Sequence, residues 1–289
     1  MADAFRCSAA AGERGDDLAG TASTVRSYLL LEHPGSWGVD ALRDARLPDG
    51  LGPELARRGK ATGVRVLLVR RGRRAARPRV LAARAQGADS WLEATAVADL
   101  RDVLDLDLER LGRGESLGLP RATEPVLAVC THGRHDACCA EQGRPVVRAL
   151  AGEWPEQVWE CSHIGGDRFA GNLLVLPHGL YYGRLDPASA RRVAEATTEG
   201  RVVVEHLRGR SDLPMPVQAA EIELRRRLGE DRRDVVVPTG HSWAGDLVTA
   251  AFEVDGHAHA VVVRASRSEP ELLTCRSAAA SSGWRFEPG

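Results

Sequence analysis

Short apolar runs of strand length alternate with helical patterns along the first third of this 289-residue chain. Unbroken apolar runs of this length are typical of buried strands, and apolar positions three or four residues apart are typical of helices. The strands are predicted at residues 25–31, 64–69, 79–83 and 90–94, and the helices at 51–58 and 98–106. We therefore expect an N-terminal α/β lobe over residues 21–111, preceded by a polar, flexible arm over residues 1–20.

A second unit follows a Gly- and Pro-containing stretch at residues 112–125, which is predicted to be a linker. Its pattern reads β-α-β-β-β-α, and Asp136 stands where a helix N-cap is expected. The strands are predicted at residues 125–129, 158–164, 173–176 and 180–185, and the helices at 136–150 and 188–195. This order is the plan of a thioredoxin-like domain, which we place at residues 124–208.

The last third of the chain predicts an α+β extension over residues 209–277. An amphipathic pattern predicts a helix at 216–228, and two apolar runs flank Asp255-Gly256, a pair that favours a tight hairpin turn. The final stretch, residues 278–289, is rich in Ala and Ser and is expected to be a mobile tail. The whole chain is thus predicted to be of the α/β class.

Charge and hydropathy exclude several classes of partner. The chain has 39 Lys+Arg against 40 Asp+Glu, a net charge of -1, so nothing draws it in bulk to nucleic acid or anionic lipid. One basic run, between Arg70 and Arg79, is interpreted as a solvated loop because no aromatic residue is interleaved for base stacking. The sequence shows neither a membrane span nor the apolar core of a signal peptide, so we expect a cytoplasmic protein.

Candidate chemistry is concentrated at residues 129–172, which hold four of the six cysteines and three of the nine histidines. In a reducing compartment, clustered cysteines favour metal binding over disulfides. Cys130 ends a predicted strand, and Cys139 lies in the first turn of the next helix, where free N–H groups favour thiolate. Both should converge at one end of the sheet. Because Cys138 and Cys139 are adjacent, only one of them is expected to reach a given metal.

A second group of donors lies in the next predicted strand and just after it. Alternation along a strand places Cys161 and His163 on one face. Gly165 and Gly166 would let the backbone bend and approach a bulky group, which makes them candidate cofactor-binding residues. Asp167 could return its carboxylate toward the same point. The two groups together predict a metal site.

These motifs resemble the sucrase/ferredoxin-like family, a group of thioredoxin-like ferredoxins whose fungal branch includes a protein named for actin-patch distribution. The similarity rests on CTHG at 130–133, DACC at 136–139 and SHIGGDRFAGN at 162–172. Further similar segments lie within residues 20–38 and 208–221. The resemblance implies a 2Fe–2S electron-transfer protein with mixed cysteine and histidine ligands, which exchanges electrons with a redox protein partner.

The ligand set implied by the resemblance carries over only in part. In the fungal branch, two cysteines and both histidines of an H-x-x-x-H motif hold the cluster. The cysteines match Cys130 and Cys139, and the first histidine matches His163. The second histidine falls on Asp167, which is a departure. The neighbouring donors expected to be bystanders are Cys138, His132 and His135.

Three residues are candidates for the fourth ligand. Asp167 holds the aligned position and offers a hard oxygen donor. Cys161 is a better donor but would crowd His163, and Cys275 could reach over from the C-terminal extension. A Rieske arrangement with His132 and His163 also uses two cysteines and two histidines, but its host fold is all-β.

Other functions fit the same residues less well. A thiol-redox or peroxide-handling enzyme could use Cys138 or Cys139 as nucleophile, but no C-x-x-C pair is present. A zinc-stabilised interaction module is a further alternative. Glycoside hydrolysis needs two carboxylates astride the sugar bond, and the motif-rich loop offers Asp167 alone.

Overall fold

The computed structural model describes residues 4–72 and 76–289, which form two sheets with helices packed against them. The strands are β1 (Ser27–Glu32), β2 (Val64–Arg70), β3 (Arg79–Arg84), β4 (Trp91–Ala96), β5 (Val126–Cys130), β6 (Val158–Cys161), β7 (Leu173–Leu176), β8 (Leu180–Tyr182), β9 (Leu207–Arg210), β10 (Val237–Ala244), β11 (Leu247–Val254), β12 (His257–Arg267) and β13 (Trp284–Pro288). The α-helices are α1 (Cys7–Glu13), α2 (Ala41–Asp44), α3 (Leu51–Thr62), α4 (Leu108–Arg113), α5 (Ala137–Leu150), α6 (Pro187–Thr198) and α7 (Met215–Leu228). Short 3-10 helices lie at Leu100–Asp105, Asp167–Phe169 and Val204–His206.

The larger sheet has nine strands in the order β4-β3-β1-β2-β6-β5-β7-β8-β9. Strands β5 and β6 are parallel, as are β1 and β2, and the other pairs are antiparallel. The predicted α/β class is confirmed. Within this sheet, β6-β5-β7-β8 with α5 and α6 follows the expected thioredoxin-like plan. Helices α5 and α6 cover one face, where Val146, Leu150 and Val193 are fully buried.

A short seam joins the N-terminal lobe to the thioredoxin-like unit. Strand β2 pairs with β6 through Val69 opposite Cys161 and Arg70 opposite Glu160. The predicted linker also follows the sheet, because the Ala94 N–H donates to the Pro120 carbonyl at 2.9 Å. The segments predicted at residues 21–111 and 124–208 therefore share one continuous sheet.

The smaller sheet, in the order β10-β11-β12-β13, builds the C-terminal extension. Helix α7 packs on it through Val217, Ala220 and Leu224, which share an apolar cluster with strands β11 and β12. The Arg225 guanidinium is buried in the same helix and pairs with Glu221 at 2.8 Å. The predicted hairpin around residues 255–256 is present between β11 and β12.

The described residues near both chain ends, from residue 4 onward and over 278–289, form more regular structure than expected. The arm expected over residues 1–20 contains α1, whose Cys7 and Ala11 are fully buried. The tail expected to be mobile over 278–289 contains β13, which pairs with β12 and buries Phe286. These two expectations are corrected, because polar and Ala/Ser-rich stretches can still order where they bury a few apolar side chains against an existing surface.

Two arginines of the basic run, Arg70 and Arg71, pair with acidic residues. Arg70 pairs with Glu160 at 2.8 Å and Arg71 with Glu156 at 2.6 Å. Residues 73–75 of the run lie outside the described residues. Among residues 4–72 and 76–289, no helix combines the length and apolar character needed to cross a membrane.

Candidate metal centre

Strand β5 and helix α5 bring two predicted ligands together. Cys130 is the last residue of β5, and Cys139 lies in the first turn of α5, which Asp136 caps by accepting from the Cys138 N–H at 2.9 Å. Helix α5 packs close to the end of the strand, because a Cβ at Gly143 would collide with the Cys130 carbonyl oxygen. The predicted N-cap and the predicted convergence of Cys130 with Cys139 are both present.

His163 completes a group of three donors with these cysteines. The Cys130 and Cys139 Sγ atoms and a ring nitrogen of His163 all lie within 4.8 Å of one another. Strand β6 ends at Cys161, two residues before His163, so strand alternation does not carry His163 to this point. It is held beyond the strand end instead, where Arg65 donates to its carbonyl oxygen at 3.1 Å.

Asp167 lies against the same group. The residue opens a 3-10 turn after Gly166, whose φ of +80° is in the left-handed region that favours glycine. Its Oδ1 is 2.9 Å from His163 Nδ1 and 3.1 Å from Cys139 Sγ. The carboxylate at the departing position therefore contacts two of the three predicted ligands.

The donor set has the properties of a metal site. His163 Nδ1 is buried and, despite its 2.9 Å approach to Asp167 Oδ1, has no hydrogen bond of normal direction. An unsatisfied buried polar atom of this kind calls for a partner. Two thiols, an imidazole and a carboxylate around one point match the ligands that iron–sulfur clusters and zinc accept.

The pKa values of the donors are shifted in different directions by their neighbours. A hydrogen bond from Cys139 lowers the pKa of the Cys130 thiol well below its usual value against the effect of burial, and the same contact raises the pKa of Cys139. Burial lowers the pKa of His163, but Asp167 and Cys130 outweigh burial and raise it to about 9. A metal would therefore displace a proton from His163 as it binds.

His135, expected to be a bystander, lies against the site, and whether it binds a metal stays a prediction. Its ring stacks on His163 with centroids 3.9 Å apart and planes inclined by 24°. Its Nε2 lies 3.9 Å from Asp167 Oδ2, and His135, His163 and Asp167 form a second group of donors within 4.8 Å. The position of His135 in the loop between the two cysteines is visible in the sequence, but the stacking is not.

His132 acts on the site through the backbone. Its Nδ1 accepts from the His163 N–H at 3.2 Å, and its Nε2 is 3.0 Å from the Gly38 carbonyl oxygen, to which it can donate. With both ring nitrogens engaged in this way, His132 positions His163 and offers no free lone pair to a metal. The Rieske pairing of His132 with His163 is therefore not favoured.

Neither of the two cysteines considered as alternative fourth ligands belongs to this donor group, although Cys161 lies opposite Cys130 in the sheet. Cys161 is fully buried and falls outside the donor groups found among the described residues, and burial raises its pKa well above the usual value. Cys275 lies with Cys7 and Cys138, on the other side of the start of α5. Asp167 is thus the candidate that contacts the predicted ligands.

Gly165 and Gly166 face a buried arginine. Arg208 Nη1 donates to the Gly165 carbonyl at 2.9 Å and to Asn172 Oδ1 at 2.8 Å. Asn172 in turn donates to the Gly166 carbonyl at 2.8 Å. A Cβ at Gly166 would collide with the guanidinium. The two glycines therefore fit the loop before Asp167 against Arg208, and their predicted contact with a cofactor stays a prediction.

The imidazoles form the accessible edge of the site. The side chains of His163 and His135 are 25% and 36% exposed, whereas Cys130 and Cys139 are each 1% exposed. A macromolecule that approached the site would therefore meet the two histidine rings before the thiols.

Comparisons with known proteins agree with these motifs. The sucrase/ferredoxin-like family model matches residues 18–209. The chain is 30% identical over 95 residues to altered inheritance of mitochondria protein 32 of Saccharomyces cerevisiae, an alignment that covers 28% of this chain and 30% of the yeast protein. The Candida glabrata protein of that name is 26% identical over 98 residues, covering 29% and 31% of the two chains. The matched region thus covers less than a third of the length of each relative. No solved structure matches it significantly.

Proposed function

This chain belongs to the sucrase/ferredoxin-like family, and we propose that it is an electron carrier that holds a 2Fe–2S cluster. The observation that carries the proposal is the convergence of Cys130, Cys139 and His163, with Asp167 in contact with two of them. When bound, such a cluster accepts and returns one electron.

The four residues divide into two pairs with different roles. Cys130 and Cys139 supply the soft thiolates, and the hydrogen bond between them already favours one thiolate without a metal. His163 and Asp167 supply the second pair. Imidazole in place of thiolate makes the site less negative and raises the reduction potential, whereas the Asp167 carboxylate restores a negative charge and offsets part of that rise.

The exposed imidazole edge supports exchange with a redox protein partner. His163 and His135 are the donors that solvent reaches, so a reductase or acceptor that docks there comes close to the site without unfolding it. Thiolate ligands need a compartment that keeps them reduced, which agrees with the expected cytoplasmic location.

The thiol-redox alternative is less well supported. A reactive cysteine needs solvent access and a lowered pKa. Cys138 and Cys139 are 0% and 1% exposed, and the contact with Cys130 and burial raise the pKa of Cys139. Asp167 is the carboxylate of the motif-rich loop, and its neighbours are a thiol and an imidazole. A glycosidase would need a pair of carboxylates there.

Metal analysis of anaerobically purified protein tests the proposal. We expect two irons and two labile sulfides per chain, visible charge-transfer bands and an EPR signal after one-electron reduction. Cys130→Ser and Cys139→Ser should each remove these signals, because each takes away a thiolate. Cys161→Ser is the matched control, since Cys161 is equally buried but outside the donor group. Wild-type protein that folds without iron, or holds zinc at this site, would contradict the proposal.

A further inference from the structure

A second group of thiols lies on the other side of the start of α5. Cys7, Cys138 and Cys275 meet there with Asp136, and all four donor atoms lie within 4.8 Å of one another. Cys7 and Cys138 are fully buried, Asp136 is 1% exposed, and Cys275 is half-buried. The proposed cluster uses none of these side chains.

Three distant parts of the chain supply this group. Cys7 comes from α1, Cys138 from the first turn of α5, and Cys275 from the segment between β12 and β13. The backbone holds the arrangement, because Asp136 accepts from the Cys138 N–H at 2.9 Å and from the Cys275 N–H at 2.6 Å. Cys7 also donates its N–H to Cys275 Sγ at 3.5 Å.

The distances between neighbouring donors are close to those of a tetrahedral site. Cys138 Sγ is 3.4 Å from Cys275 Sγ, which is 3.6 Å from Cys7 Sγ. Cys7 Sγ is 3.6 Å from both Asp136 carboxylate oxygens. Around a zinc ion with Zn–S bonds of about 2.3 Å, tetrahedral thiolates lie about 3.8 Å apart, and a carboxylate oxygen lies slightly closer. A disulfide needs about 2.05 Å, and three thiols cannot all pair.

The charge of Asp136 supplies an independent argument. Over residues 4–72 and 76–289, no lysine, arginine or histidine nitrogen lies within 4.0 Å of this buried carboxylate, although 28 other ion pairs are present. Its two backbone N–H bonds offset part of the cost of burying a carboxylate, but they do not replace a cation. A divalent cation bound here, with release of the three thiol protons, would give the Asp136 carboxylate a direct positive partner.

We propose that Cys7, Cys138, Cys275 and Asp136 form a structural zinc site that fastens both ends of the chain to the start of α5. Four protein donors leave no open position, as in structural zinc sites, so this ion takes no part in electron transfer. A surface cleft lined by Phe5, Arg134 and Cys275 reaches the site and gives the ion a path of entry.

Metal stoichiometry and matched cysteine variants of the full chain test this site. We expect one zinc per wild-type chain by elemental analysis. Cys138→Ser and Cys275→Ser should each lose the zinc and keep the iron, whereas Cys130→Ser should lose the iron and keep the zinc. Cys161→Ser should keep both metals. The opposite responses of Cys138→Ser and Cys130→Ser distinguish failure of the zinc site from failure of the 2Fe–2S proposal.

Cobalt(II) is a spectroscopic probe that does not depend on the zinc acquired during expression. Metal-depleted Cys130→Ser protein should bind one cobalt, with thiolate-to-metal charge-transfer bands and the intense visible bands of tetrahedral coordination. Adding Cys275→Ser should abolish those bands, and circular dichroism confirms that the chain is folded. Folded wild-type protein that holds no zinc and gives no tetrahedral cobalt spectrum would overturn the proposal. A protein mass lower by two hydrogens, with a disulfide located between Cys138 and Cys275, would also overturn it.

Discussion

At the scale of single residues, Asp167 defines what is particular to this chain. It stands where the resemblance places a second histidine, and it contacts both His163 Nδ1 and Cys139 Sγ. Burial works against its ionisation, but His163 keeps its pKa below the usual value. The carboxylate is therefore charged at neutral pH, and the site carries one more negative charge than a site with two imidazoles.

Asp167→His should keep the cluster and raise its reduction potential. The expected rise is on the order of 100 mV, because replacing two thiolates by two imidazoles raises the potential by roughly 250 mV or more. Redox titration followed by EPR measures the shift. His135→Ala is the control, since His135 stacks on His163 without contacting a cysteine. An unchanged potential in Asp167→His, together with loss of the cluster in His135→Ala, would assign the ligand role to His135 instead.

Spacing in the sequence predicts the candidate ligands that lie at the ends of elements. Cys130 closes a strand and Cys139 follows an N-cap, so alternation and capping are enough to bring them together. The stacking of His135 on His163 depends on the path of a loop and cannot be read from spacing. The Cys7–Cys275 contact joins residues 268 positions apart, which no local pattern encodes.

At the scale of elements, the loop between β6 and its 3-10 turn decides where Asp167 lies. Arg208 and Asn172 hold its two glycine carbonyls, and Gly166 leaves room for the Arg208 guanidinium. Helices and strands with strong apolar patterns, such as α5 and β2, were predicted close to their observed bounds. Strand β10 was not predicted, because most of its side chains are exposed and its apolar residues do not alternate.

Gly166→Ala should destabilise the protein and weaken metal binding at the candidate centre. Gly200→Ala is the matched control: Gly200 has a φ of +69°, close to the +80° of Gly166, but a Cβ there meets nothing within 4 Å. Both changes incur the left-handed penalty of about 1–2 kcal/mol. Gly166→Ala should lose at least about 1 kcal/mol more through its collision with Arg208, and it should retain less iron. If urea denaturation gave equal unfolding free energies for Gly166→Ala and Gly200→Ala, the Arg208 side chain would have moved to relieve the collision.

At the scale of the whole molecule, the units predicted from sequence are joined by strand pairing and side-chain contacts and are not separate domains. Two residue pairs between β2 and β6 make one sheet of the lobe and the thioredoxin-like unit. His178, in the β7–β8 hairpin, binds the C-terminal extension through Arg233 Nη1 at 3.0 Å. Such long-range contacts depend on the assembled fold, so the sequence pattern predicts the parts but not their joining.

Acidification should weaken this link between hairpin and extension. Burial, helped by Arg233, lowers the pKa of His178 to about 4, below the unfolded value of about 6.5. The unfolded chain therefore binds more protons between these values, and stability falls as pH drops through that window. Urea unfolding at pH 7 and pH 5 should show a smaller loss for His178→Gln than for wild type. His257→Gln, at an exposed imidazole, should match wild type. If His178→Gln lost as much stability between pH 7 and pH 5 as wild type does, His178 would not be the cause of that loss.

The buried guanidinium of Arg208 sets a limit on how this protein can be divided. It donates to Thr21 Oγ1 at 3.1 Å, to Gly165 and to Asn172, and so joins the beginning, middle and end of the region that matches the family, residues 18–209. A fragment that stops before residue 208 would leave the loop of Gly165 without this anchor, and one that starts after residue 21 would leave Arg208 without its Thr21 partner. We therefore expect that replacing the N-terminal lobe would also disturb the loop that positions the candidate metal centre.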